Sequence, residues 1–265
     1  MRKNMRWIPS LSLVVTSLVA TFVAGCGPAG PRAPVHTAIE SASFTEPMTR
    51  IFFDDLASSD LSVRRAPGTA VEITRKLKWR GDKGPRYSET WEGQTLRVSY
   101  SCPYIGCSID YDVQVPEGVE VQAKISSGDV EVNGMAAPVT IETSSGDVRL
   151  TGVKGTVTVK ATSGDVSAVD LVAERATVST SSGDVNLDFA AAPQSVGVRV
   201  TSGDTTILLP PHDAYLVEAR TTSGEQKITV DRSQSASRKI DVEATSGDVR
   251  IGYGRARSGG TPSPS

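Results

Sequence analysis

Acidic residues recur along this chain in a pattern that could serve metal chemistry. Each follows Ser-Gly, and a further Ser or Thr stands in front. The acidic residues are Asp129, Asp147, Asp165, Asp184, Asp204, Glu225 and Asp248. Because hard cations prefer carboxylate oxygens, a row of weak calcium sites is one hypothesis. The other is a row of structural turns, in which Gly adopts a positive φ and Asp accepts hydrogen bonds from turn amides.

The spacing of these segments predicts a repeat architecture. Their glycines lie 18 to 23 residues apart, and a period near 20 is typical of a solenoid. Apolar residues alternate with polar ones on both sides of each corner, as in Val139, Ile141, Val148 and Leu150 around Gly146. Alternation indicates strands with one buried face. Each unit is therefore predicted to be a longer strand, the Ser-Gly-Asp corner, a shorter strand and a variable corner.

The predicted fold is all-β, a right-handed parallel β-helix (β-solenoid) of about seven regular coils from about residue 119. Irregular coils before that point are expected to cap its N-terminal end. Stacked antiparallel hairpins are the alternative, since Gly-Asp turns also close hairpins. In a solenoid the carboxylates would form one file, roughly 4.8 Å apart, and neighbouring charges would repel by about 1 kcal/mol in water. A third inward column is expected seven residues after each glycine, at Met135, Val153, Leu171, Ala190 and Pro210.

The N-terminus has the features of an export signal. Arg2, Lys3 and Arg6 precede an apolar run over residues 11–24, which ends in Val-Ala-Gly-Cys26. This ending resembles the lipobox of bacterial lipoproteins, which implies a diacylglyceryl group on Cys26; an ordinary signal peptide or an uncleaved anchor is the alternative. We expect a signal peptide over 1–25, a lipidated tether over 26–45, one domain over 46–254 and a disordered tail over 255–265. The protein would then be anchored by lipid in the cell envelope and face outward.

The two remaining cysteines and the net charge restrict the possible metal sites and binding partners. Cys102 and Cys107 are predicted to form a disulfide in an oxidising compartment, with free thiols as the alternative. Two sulfurs without a nearby His cannot complete a zinc shell. Removal of the signal peptide leaves 25 basic and 30 acidic residues, a formal charge of about −5. This charge argues against a nucleic-acid or anionic-lipid partner.

Two motifs together resemble a known family. Cys102-x4-Cys107 is followed by Ser-Ile-Asp-Tyr-Asp-Val-Gln-Val-Pro, and then by the repeated Ser-Ser-Gly-Asp-Val. The combination resembles the bacterial "putative adhesin" family of β-strand repeats, a domain of unknown function, over about residues 51–253. The resemblance implies a surface-exposed solenoid without known catalytic residues.

No constellation of catalytic type stands out from the repetition. His36 and His212 have no visible acid or base partner, and the serines recur in every unit as turn formers. The sequence therefore predicts a non-catalytic adhesion or binding surface on an envelope lipoprotein, without a cofactor apart from weak calcium, and with an unidentified protein or glycan ligand. The alternative is an envelope-stress sensor that binds a membrane partner; a polysaccharide-active enzyme is a third class.

Overall fold

The computed structural model describes residues 34–102, 106–211 and 214–254, and its regular elements are strands. No helix in these ranges could cross a membrane. In chain order the strands are β1 (Val35–Phe44), β2 (Arg50–Ser58), β3 (Leu61–Arg65), β4 (Val71–Arg80), β5 (Arg86–Glu92), β6 (Thr95–Ser101), β7 (Ser108–Val115), β8 (Glu120–Ser127), β9 (Val130–Asn133), β10 (Val139–Ser145), β11 (Val148–Thr151), β12 (Val157–Ser163), β13 (Val166–Leu171), β14 (Arg175–Ser182), β15 (Val185–Phe189), β16 (Ser195–Ser202), β17 (Thr205–Leu209), β18 (Leu216–Ser223), β19 (Gln226–Ile228), β20 (Lys239–Ser246) and β21 (Val249–Tyr253).

The strands form two facing sheets. Sheet A has the order β1-β4-β7-β3-β9-β11-β13-β15-β17-β21-β19, and sheet B has the order β18-β20-β16-β14-β12-β10-β8-β2-β6-β5. From β8 onward each coil gives its longer strand to sheet B and its shorter strand to sheet A. Neighbouring coils pair in parallel, with Val139 opposite Val157 and Val148 opposite Val166. Parallel pairing confirms the solenoid and excludes stacked hairpins; its handedness stays a prediction.

The core lies between the two sheets and follows the predicted columns. In one coil Val139, Ile141, Val148 and Leu150 are fully buried. Burying an apolar side chain of this size contributes about 1.5–3 kcal/mol, so each coil adds a similar layer of stability. The alternation of apolar and polar residues along the strands therefore determines which face of each coil is buried.

The third inward column is correct for three coils and wrong for two. Met135, Val153 and Leu171 are buried, but Phe189 and Leu209 are buried in place of the expected Ala190 and Pro210. Strands β15 and β17 continue their alternation to the sixth residue after the glycine. In the earlier coils this alternation ends sooner. In one of them the pairing register between β13 and β15 shifts between Ala168 and Leu171, where Asp170 has a φ of 60°.

The coils do not stack in chain order at the C-terminal end. The coil of β20 and β21 lies between that of β16 and β17 and that of β18 and β19, which is outermost. Chain order would place Arg199 beside Arg220. The observed order places Glu243 between them, with its Oε2 3.0 Å from Arg199 Nε and its backbone opposite Arg220. Alternating charge across neighbouring strands is stabilising, so it favours this order.

The N-terminal end is a cap of mixed strand direction. Pairing is antiparallel between β1 and β4, between β4 and β7, and between β5 and β6. The coil of β2 and β3 lies between that of β6 and β7 and that of β8 and β9. Strand β1 falls within the predicted tether, so the boundary at residue 45 is wrong. The strand is ordered because Ala38, Ala42 and Phe44 are buried, although the small side chains of Ala38 and Ala42 give a weak strand signal in sequence.

A glutamine side chain covers the free edge of the outermost coil. The amide of Leu216 donates to Arg238 O of the neighbouring segment (2.9 Å), so the alternate residues Ala219 and Thr221 direct their backbone groups to the open edge of β18. In the amide orientation that satisfies both of its ends, Gln226 donates to Ala219 O (3.1 Å) and accepts from Thr221 N (3.2 Å). Gln226 thus takes the hydrogen bonds that a further strand would need.

Replacing this glutamine with the valine found at the same position in most regular coils should open the edge. We expect the Gln226→Val variant to self-associate more than the wild-type protein at micromolar concentrations. The reason is that unpaired backbone groups at a strand edge, beside an apolar column, attract another strand. Sedimentation velocity measures the difference.

Thr205→Val is the matched control, because Thr205 occupies the same column in an inner coil. Its Oγ1 is buried and has no hydrogen-bond partner among the described residues. The control should not associate and should gain about 1 kcal/mol of unfolding free energy. Equal association of Gln226→Val and wild type would contradict the role of Gln226.

Candidate functional site

The Ser-Gly-Asp corners bring neighbouring coils into close backbone contact. Their glycines have φ values between 114° and 143°, a region that side chains disfavour. A Cβ built on Gly164 would lie 2.2 Å from the carbonyl oxygen of Gly146 in the preceding coil. Glycine is therefore required both for the turn and for the approach of the neighbouring backbone.

The acidic residues after these glycines form one hydrogen-bonded file. The backbone N–H of each donates to Oδ1 of the aspartate in the coil on its N-terminal-cap side, as Asp165 N does to Asp147 Oδ1 (3.0 Å) and Asp184 N to Asp165 Oδ1 (2.8 Å). In spatial order the file is Asp110, Asp60, Asp129, Asp147, Asp165, Asp184, Asp204, Asp248 and Glu225. A row of N–H donors offsets the repulsion between carboxylates, since hydrogen bonds to a charged acceptor are worth about 1.5–3 kcal/mol.

Two members of the file were not predicted. Asp60 follows Ser59 where the other corners have Gly, and Asp110 follows the loop between the two cysteines. The available signal was the strand pattern after them, because Leu61 and Tyr111 occupy the same register as Val130. The file therefore extends from the regular coils into the cap.

Among the contacts that the described residues make, Arg149 and Arg250 are the cationic partners of the outer carboxylate oxygens of the file. Arg149 lies 3.4 Å from Asp129 Oδ2 and 2.8 Å from Asp147 Oδ2, and Arg250 lies 2.8 Å from Asp248 Oδ2. Among the described residues no three His, Cys, Asp or Glu side chains come together as possible metal ligands. The calcium hypothesis therefore gains no ligand set here, and the hydrogen-bonded turn accounts for the recurrent Asp.

The paired cysteines close a corner of the cap. Cys102 and Cys107 form a disulfide between β6 and β7, with their Cα atoms 5.8 Å apart. The loop replaces the Ser-Gly-Asp corner in this coil. His36 stacks on Trp79 with ring centroids 5.4 Å apart. Cys26 and His212 lie outside the described residues.

The cap also contains a buried ionic cluster that the sequence argument missed. Arg75 points inward between the buried Ile73 and Leu77, pairs with Glu89 of β5, and lies 4.4 Å from the ring centroid of Tyr87. Burial lowers the pKa of Arg75. The Tyr87 hydroxyl donates to Glu40 of β1, and burial together with this hydrogen bond raises the pKa of Tyr87. The cluster joins β1 and β4 of sheet A to β5 of sheet B and closes the end of the core.

The outward face of sheet B carries a shallow polar groove across three regular coils. Glu142 lies 4.0 Å from Lys124 and 3.1 Å from Lys160, its neighbours in the adjacent coils. These three residues line a groove of about 430 Å³, together with Asp55, Ile125, Ser126, Thr143, Ser144, Ala161 and Thr162. Phe52 is beside it, with its ring centroid 5.8 Å from Lys124 Nζ and 5.3 Å from Arg97 Cζ. We call these lining residues and Phe52 the sheet B groove.

Adding a methyl group at a corner should separate the coils. We expect Gly164→Ala to lose about 4 kcal/mol or more of unfolding free energy, because Cβ would overlap the backbone of the preceding coil and strain φ. Chemical denaturation of purified protein measures the loss.

Gly197→Ala is the matched control, since a Cβ there meets no atom within 4 Å. Gly197 lies inside β16, so alanine should be neutral or stabilise by about 0.5–1 kcal/mol. Similar losses in both variants would show that the close contact at the corner is not the cause.

Comparison with known proteins identifies the family. The model of the Toastrack DUF4097 family matches residues 108–261, more than half of the chain. The search of curated protein sequences found no match to this chain.

Solved structures with a similar outline include a "putative adhesin" from Bacteroides fragilis (12% identity, TM-score 0.49, 86% of this chain and 100% of that one). A "putative cell adhesion protein" from Clostridium sporogenes has 10% identity and a TM-score of 0.39 over 83% of this chain and 100% of its own. A "putative adhesin" from Parabacteroides merdae has 13% identity and a TM-score of 0.35 over 80% and 96%. At TM-scores below 0.5 these likenesses carry no weight for function. On the match over residues 108–261, the chain belongs to the Toastrack DUF4097 family.

Proposed function

We propose that the protein is a lipid-anchored, non-catalytic binding module of the cell envelope, and that the sheet B groove receives a glycan. The observation that carries the proposal is the composition of the groove. Hydroxyls of Ser126, Ser144 and Thr162 recur once per coil beside the Lys124, Glu142 and Lys160 charges. Such groups donate and accept hydrogen bonds as sugar hydroxyls require.

The groove is open, so it suits an extended ligand. Apart from Asp55 and Phe52 of β2, its residues come from β8, β10 and β12, which pair in parallel and in register. Equivalent positions in successive coils are therefore about 4.8 Å apart, and a ligand with repeating units can contact several coils alike. Extended concave or flat surfaces of this kind are a common use of solenoids.

The topology supports anchoring through the cap. Strand β1 lies at the edge of sheet A opposite the outermost C-terminal coil. Cys26 precedes Val35 by nine residues, a span of at most about 30 Å. A lipid on Cys26 would keep the cap near the bilayer and leave the groove and the distal coils accessible.

Glycan binding is tested with full-length protein in nanodiscs on arrays of cell-wall and matrix glycans. We expect binding to a subset of them and at least a tenfold loss in Lys124→Ala/Lys160→Ala, equivalent to about 1.4 kcal/mol. Both lysines are exposed, so the variant should stay folded.

Arg175→Ala is the control, because Arg175 is exposed on the same face of sheet B but lies outside the groove. Cys26→Ser should move the protein out of the membrane fraction. Equal binding by the groove variant and the control would contradict the site. Binding to no glycan, with capture of one membrane protein after crosslinking, would favour the sensing function instead.

A further inference from the structure

The outward side of the cap carries exposed apolar residues beside a row of cations. Val35 and Ile39 of β1 are 41% and 53% exposed. Strand β4 pairs with β1 and places Arg80 opposite Val35 and Lys76 opposite Ile39, with Lys78 between them. We call these five residues the cap face.

The charge of sheet A changes sign next to the cap face. Lys76 and Lys78 form no ion pair among the described residues. On the neighbouring strand Asp110 lies opposite Lys76, and Asp112 pairs with Arg64 at 3.5 Å. Further along the sheet, Glu131 and the aspartate file add negative charge. The cap edge is therefore the basic end of a largely acidic surface.

We propose that the cap face docks on the anionic lipid headgroups of the bilayer that holds the anchor. The inference rests on the proposed lipid anchor at Cys26, which would hold the cap face close to the bilayer and raise its effective concentration there. Apolar side chains flanked by Lys and Arg are the composition that binds a membrane interface. Each cation near an anionic surface is worth about 1 kcal/mol.

Docking also gives the solenoid an orientation. The anionic surface attracts Lys76, Lys78 and Arg80 but repels the acidic strands that follow, so the coils tilt away from the bilayer. The proposal departs from the expectation drawn from net charge, because a net charge averages over faces that differ in sign. Docking would hold the cap at the bilayer and leave the C-terminal coils exposed.

Lysine acetylation footprinting of the lipidated protein in vesicles tests the docking. On vesicles of phosphatidylglycerol and phosphatidylcholine, Lys76 and Lys78 should react about fivefold more slowly than on pure phosphatidylcholine, the factor that corresponds to about 1 kcal/mol. Lys154 and Lys227, exposed on distal coils, should react equally on both. About 1 M salt should abolish the difference by screening.

A pair of variants separates docking from a general charge effect. Ile39→Glu should restore fast acetylation of Lys76 and Lys78 on anionic vesicles. Val169→Glu, at an apolar residue of β13 that is 40% exposed, should leave the protection unchanged. Equal acetylation on both vesicles, with the protein still bound to both, would overturn the docking face alone. Failure to bind either vesicle would overturn the anchor and the docking with it.

Discussion

The close contact between glycine corners is the constraint on which the rest of the structure depends. At Gly164 the backbone of one coil approaches the next so closely that even a methyl group is excluded. The adjacent amide donates to the aspartate of the neighbouring coil at 2.8–3.2 Å along the whole file. Contact and hydrogen bond together fix the spacing and the register of the coils. Once the register is fixed, the valine and isoleucine side chains of successive coils stack on one another in the core.

This constraint explains why the most conspicuous motif is not the most specific one. Each aspartate uses Oδ1 to hold the next coil, so its recurrence reflects a need shared by every coil. In the proposed function, ligand specificity would depend on positions that differ between coils, such as Lys124, Glu142 and Lys160 on sheet B. The ends differ for another reason, because an open core needs a closure. Gln226 provides it at one end, and the Arg75 cluster provides it at the other.

The regular part of the fold could be predicted because one local rule is repeated. Alternation around the glycines predicted the strands and most of the buried columns, and the regular period favoured a parallel stack over hairpins. The order of the coils could not be read in the same way, because equivalent columns fit one another in any order. Outward charges such as Arg199, Glu243 and Arg220 distinguish the observed order, as does the edge-covering Gln226 of the outermost coil. Strand β1 and Arg75 were missed since small or charged residues occupy inward positions in the cap, where closure rather than repetition decides the packing.

The most direct test of the central claim compares Asp165→Asn with Asp165→Ala by unfolding free energy and by hydrogen exchange at the Asp184 amide. Asparagine keeps an acceptor at Oδ1 and removes one charge from the file, so it should retain stability and amide protection. Alanine removes the acceptor and should lose about 1–3 kcal/mol, with faster exchange at Asp184. Equal losses in both variants, or no loss in alanine, would contradict the claim that the hydrogen bond from each corner to the next holds the solenoid in register.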